Sequence, residues 1–182
     1  TEGQTLTAAN TLADADGLGT IGYQWVRAGT AITGETSSTY TLVQADVESA
    51  ISVTASYTDG QGTAESVSSS ATSAVANVND APTGSVTISG TAKQGETLTA
   101  ANTLADADGL GTITNQWKRA GNAISGATSS TYQLVQADVG SAISVTASYT
   151  DGQGTAESVT SAATSAVKAL PVFVPPSNSE NK

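Results

Sequence analysis

The sequence predicts an all-β sandwich, and predicts it twice over. Three observations carry this. Apolar and polar residues alternate with a period of two through stretches such as Ile51–Val67, ISVTASYTDGQGTAESV, the pattern of strands with one buried face. Turn-forming clusters of Gly, Asp and Ser interrupt the strands about every 8–12 residues, and no segment of useful length has the helical period. Residues 5–75 also align with residues 97–167 at a constant offset of 92, without a gap; 61 of the 71 positions are identical and ten differ.

The strands follow in order. TLTAANTL brings Leu6 and Leu12 to the core, and IGYQWVRAG places Ile21 and Trp25 on one face. STYTLVQAD turns Tyr40 and Leu42 inward and runs into a turn that Asp46 caps, as Asp138 does in the second copy. Ile51, Val53, Ala55 and Tyr57 share a face, and the TDGQGT that follows makes a hairpin. Glu65, of the same parity as Val67, is expected to point toward the core near the loop end, and Glu157 likewise. The first domain is read as residues 1–78, lacking its first strand, and the second as 83–168. The joint NVNDAP covers 77–82, with its ligand-bearing part at 79–82. Residues 169–182, with Pro171, Pro175 and Pro176, are expected to form an extended tail.

Composition removes several kinds of chemistry. Cys, Met and His are absent. Disulfides, thiol nucleophiles and the Ser-His-Asp arrangement therefore go, and zinc or haem ligation is not expected. Sixteen acidic against six basic residues leave a net charge of −10. Such a surface repels phosphate backbones and anionic lipids, so nucleic-acid and membrane-surface roles are not expected, and cations are favoured. No apolar run approaches a bilayer span, and no signal peptide is read at the start, which falls partway into a repeat.

A QW strand followed by STYTL, ADVxSAISV and a hairpin resembles an immunoglobulin-type domain without the paired cysteines. The longer run NVNDAPTGSVTISGTAKQGETLTAANTLADADGLGTI…QW resembles the tandem immunoglobulin-like, cadherin-like repeats of very large, type I-secreted bacterial adhesins of the repeats-in-toxin class. The likeness covers nearly the whole chain up to Val167. It implies two immunoglobulin-like sandwiches arranged end to end, and a place outside the cell, on the bacterial surface or secreted. NVNDAP itself resembles the calcium-binding linker of cadherins, which implies a metal at the joint.

The acids sort by comparison of the copies. Glu35 becomes Ala127 and Glu48 becomes Gly140, so both are dispensable, whereas Asp14/Asp106, Asp16/Asp108, Asp59/Asp151 and Glu65/Glu157 recur. In an immunoglobulin-type sandwich the DADG loop and the TDGQG hairpin lie at one end, where the chain also enters. That topology gathers Asp106, Asp108 and Asp151 with Asn79 and Asp80 at the joint. In the first copy Asp14, Asp16 and Asp59 gather without a preceding linker, and Glu65 and Glu157 stand as weaker ligands. Carboxylates so placed repel one another unless a cation sits among them, and Ca²⁺ takes about 6–8 hard oxygens from flexible loops. Read as an EF-hand from Asp106, the loop has Leu110 at the fifth position and Trp117 at the twelfth, so it cannot hold calcium alone. Taken singly, Asp59 or Asp106 is explained as well by turn chemistry as by ligation. Trp25 and Trp117 belong to the core, and Tyr23 becomes Asn115, leaving no repeated aromatic for sugar stacking.

The expectation is a monomeric, non-enzymatic extender segment whose partners are the neighbouring repeats of its own chain. Ca²⁺ at the joint would stiffen an array that projects a binding tip for cell adhesion or biofilm formation. A repeat that itself binds a glycan or protein, and an accessory β-domain of a secreted polysaccharide-degrading enzyme, are the alternatives.

Overall fold

The computed structural model describes residues 1–171, and the Val172–Lys182 part of the expected extended tail lies outside the described residues. Within them the chain is all-β. Contacts divide it into two units, Thr1–Asn79 and Asp80–Lys182.

The second unit shows the architecture in full. Its strands are β7 (Val86–Ser89), β8 (Thr97–Asn102), β9 (Thr114–Arg119), β10 (Asn122–Ala123), β11 (Thr131–Gln133), β12 (Ile143–Thr150) and β13 (Ala156–Thr160). One antiparallel sheet has the order β11-β8-β7 and the other β10-β9-β12-β13. The alternation in the sequence sends Val86 and Leu98 from the first sheet against Trp117, Val145 and Ala147 from the second, making one core with Leu134 and Ile143. The register on β12 pairs Val145 with Trp117 and Ala147 with Val159. Such β-branched and aromatic partners suit a pleated surface that is buried on one side.

The first unit has β1 (Thr5–Thr7), β2 (Gly22–Arg27), β3 (Thr30–Ala31), β4 (Thr39–Thr41), β5 (Ile51–Thr58) and β6 (Ala64–Ser68). The sheet β3-β2-β5-β6 repeats that of the second unit, while its partner holds β1 and β4 alone. Its core is smaller, formed by Trp25, Tyr40, Leu42, Ile51 and Val75. The predicted hairpin is present, with β5 and β6 antiparallel from Thr58↔Ala64 to Thr54↔Ser68. Tyr40 and Leu42 face inward as their parity requires.

Each unit carries one fully buried acid. Asp46 and Asp138 sit at the end of short 3₁₀ turns, and Asp138 Oδ2 accepts the Val135 N–H at 2.7 Å, the capping role expected of it. The sequence reading missed the rest of this contact. Arg119 Nε donates to Asp138 Oδ1 at 2.7 Å and the Tyr132 hydroxyl to Oδ2 at 3.0 Å, so both oxygens of the Asp138 carboxylate have partners. Arg27, Tyr40 and Asp46 repeat the arrangement. A buried acid without such partners would carry a large desolvation cost.

Candidate metal centre

Two groups of three aspartates form at the loop ends, one in each unit: Asp14, Asp16 and Asp59, and Asp106, Asp108 and Asp151. In each group one carboxylate oxygen per residue lies within 4.8 Å of the others. Either group could hold a metal ion, and the donors are hard oxygens throughout.

The second group is built by interlocking two loops. Asp106 and Asp108 lie between β8 and β9, and Asp151 opens the turn from β12 to β13. Asp106 Oδ1 accepts the N–H of Asp108 at 2.9 Å, an Asx turn that folds the loop back on itself. Its Oδ2 accepts the hydroxyl of Tyr149, the penultimate residue of β12, at 2.6 Å. The Gly152 N–H then bridges the carbonyls of Asp108 and Gly109 at 3.0 and 3.1 Å. This closeness is why glycine is needed: a Cβ on Gly152 would collide with the Asp108 carbonyl, and one on Gly111 with the Thr150 carbonyl. The Gly-x-Gly after DAD is thus partly a packing requirement between loops.

Asp151 is 6% exposed and Asp108 5%. Asp151 Oδ1 accepts the N–H groups of Gln153 at 2.9 Å and Thr155 at 2.7 Å. Asp151 Oδ2 is buried and has no hydrogen-bond partner. Asp108 Oδ2 accepts the backbone N–H of Asp80 at 2.7 Å, which ties the first residue of the second unit to the group. Two carboxylates at about 4–5 Å repel by about 1 kcal/mol in bulk water and by several times that where burial lowers the dielectric constant.

The first group repeats the pattern with a looser rim. Asp14 accepts the Asp16 N–H at 2.8 Å and the Tyr57 hydroxyl at 2.9 Å, while Asp59 Oδ1 accepts Gln61 and Thr63 N–H groups. Asp16 is exposed where Asp108 is buried. The Thr63 N–H, seconded by that of Gln61, holds the Asp59 carboxyl below the usual carboxylate range against the opposing pull of burial. The Tyr57 hydroxyl is raised by its hydrogen bond to Asp14. Burial first, and then the bond to Asp106, raises Tyr149 far above an ordinary tyrosine.

Topology therefore gathers Asp106, Asp108 and Asp151, and Asp14, Asp16 and Asp59, as the sequence suggested, and brings the Asp80 backbone to Asp108. Asn79 is the last residue of the first unit. The glutamates fall elsewhere. Glu65 is exposed on β6, opposite Tyr57, and neither it nor Glu157 joins a group. Parity with Val67 misled here, because Val67 is itself 50% exposed, so that face of β6 is not a core face in this unit. The tyrosine donors were missed. Their position at a strand end, two residues before the Asp-Gly of the hairpin, is the signal that could have found them. No family model matches the chain, and no curated protein matches it.

Proposed function

We propose that these repeats bind Ca²⁺ at the aspartate groups and serve as extender modules of a large bacterial adhesin, surface-bound or secreted, in which the ion stiffens the joint between successive domains. The observation that carries the calcium reading is the buried Asp151 Oδ2, which lacks a partner inside a cluster of like charges. A buried, unpartnered charged oxygen is costly, and a cation shared with Asp106 and Asp108 supplies what it lacks. All-oxygen donors from two loops suit calcium, which accepts irregular shells, better than magnesium, which demands near-octahedral geometry. No nitrogen or sulfur ligand argues for a transition metal. When bound, the ion neutralises the carboxylates and cross-links the loops. Through Asp108 it also restrains Asp80, and with it the NVNDAP joint. The near-identity of the copies and the strand order β11-β8-β7 over β10-β9-β12-β13 support the immunoglobulin-like array reading.

Calorimetric titration of the chain with Ca²⁺ is the test, with Mg²⁺ as comparison. Affinity in the range of extracellular modules, about 10⁻⁴–10⁻³ M, is expected, with the Asp106–Asp108–Asp151 group filling first. Asp151→Asn should weaken that site at least about tenfold. Removing calcium with EDTA should lower the melting temperature and make the pair bend more in solution scattering. A chain whose melting and scattering ignore millimolar calcium would sink the proposal.

A further inference from the structure

We infer that both aspartate groups are also sites of spontaneous main-chain modification, an aspartyl-to-isoaspartyl isomerisation at Asp16–Gly17, Asp59–Gly60, Asp108–Gly109 and Asp151–Gly152 that a bound cation holds off. These are the only four Asp-Gly pairs in the chain, and each gives its aspartate to a group, two pairs to either group. Asp-Gly is the aspartyl sequence most open to this reaction. Glycine has no side chain to shield its nitrogen, and its backbone freely takes the angles that bring that nitrogen to the carboxyl carbon.

The glycine nitrogen attacks Cγ of the preceding aspartate. A C–N bond forms, one carboxyl oxygen leaves as water with the amide proton and a proton from solvent, and a succinimide ring closes. Water then opens the ring and a proton returns to solvent. Opening at Cγ restores aspartate. Opening at the main-chain carbonyl breaks the original peptide C–N bond, so the chain now runs through Cβ and Cγ. Nothing is oxidised or reduced, and the main chain is longer by one carbon.

Neither group has room for a slower dipeptide. Gly17 and Gly109 lie at φ 97° and 98°, where a side chain is strained. A Cβ on Gly60 would collide with the Asp16 carbonyl, as one on Gly152 would with that of Asp108. The closed loops restrain the reaction. The Gly60 N–H bridges the carbonyls of Asp16 and Gly17 at 3.1 and 3.0 Å, as Gly152 bridges those of Asp108 and Gly109. Gly17 and Gly109 donate to the carbonyls of Asp14 and Asp106 at 3.2 and 3.1 Å. The carboxylates of Asp59 and Asp151 are held by the N–H groups two and four residues further on. A nitrogen engaged in this way, beside a pinned carboxylate, reaches the attack geometry only after the loops part.

Charge is what parts them. Three aspartates crowd each group, and the Asp151 Oδ2 atom is buried without a partner. A cation shared among them holds the loops closed and lowers the population that reacts, so the inference rests on the calcium reading above. The change also destroys the site that fails to prevent it. An added main-chain carbon at Asp151 displaces Gly152 from the two carbonyls it bonds, where not even a methyl group fits.

The full chain is kept for several weeks at neutral pH and physiological temperature in millimolar calcium, in EDTA, or unfolded in urea. Each sample is then cut by a protease that cleaves before aspartate but not before isoaspartate, and mapped by mass spectrometry. Isoaspartate at the four pairs is expected to be at least about fivefold higher in EDTA than in calcium, with the urea sample above both. The isomerised fraction should melt lower than fresh chain and take up less calcium. Calorimetric titration of fresh chain separates the two claims. Calcium uptake with equal isoaspartate in the two buffers overturns this inference and leaves the calcium reading standing. No uptake overturns the calcium reading, and the protection with it. Isoaspartate absent from the EDTA sample, or an isomerised chain that binds calcium as fresh chain does, also overturns the inference.

Discussion

Glu48 and Gly140 occupy the same place in the two copies, and the backbone explains the exchange better than charge does. Both lie in the left-handed region, at φ 64° and 84°. Glutamate bears strain there that glycine does not. Glu48→Gly is therefore expected to stabilise the first unit by about 0.5–1 kcal/mol, read as a higher denaturant midpoint with unchanged slope. Tyr149 is a second case where one residue sets a measurable property. Its pKa is raised in the folded state, chiefly by burial and then by Asp106. The neutral hydroxyl is thus favoured by folding, and the stability it supplies is complete below the ordinary tyrosine value of about 10. That stability is lost as pH climbs from there toward the folded value. Melting temperatures measured from pH 9 to 12 should fall less steeply in Tyr149→Phe than in the parent chain.

The elements that matter most to the site are the two loops, and their coupling is backbone-to-backbone. Gly111 faces the Thr150 carbonyl at the end of β12, so the loop between β8 and β9 cannot move outward to admit a methyl group without losing its grip on the hairpin. Gly111→Ala is expected to destabilise the second unit by about 2 kcal/mol and to weaken calcium binding with it, which denaturation with and without calcium would read together. Much of this level was legible in the sequence. Alternation marked β5 and β12, Asp-Gly turns marked the hairpins, and topology then placed the DADG and DGQG loops at one end, so the aspartate groups followed from chain order. What was not legible depended on which strand covers which face. Glu65 and Val67 share parity in β6, but parity says only that they point the same way, and both are exposed. The Arg119–Asp138–Tyr132 contact was hidden for another reason. It joins side chains 19 and 6 residues apart, in three elements, and no local pattern announces it.

At the scale of the whole molecule the two units, nearly identical in sequence, differ in how well they are closed. Ten apolar residues are buried in the second unit and six in the first. Calorimetry is expected to show two transitions, the first unit melting below the second, with Trp25→Phe and Trp117→Phe variants assigning the fluorescence change of each. A single transition would contradict that division of stability. One further property follows from the way the chain leaves its sandwich. The Lys168 segment runs parallel to the one at Lys93, with the Gln94 N–H bonded to the Lys168 carbonyl at 2.8 Å and the Lys168 N–H to the Ala92 carbonyl at 2.9 Å. The first unit keeps the same connection from the Glu2 N–H to the Ala76 carbonyl. Pulling on the two ends of such a unit drags parallel segments past one another, so these bonds are loaded together, in shear, and yield together rather than unzipping in turn. A fold closed in this way resists tension along the chain.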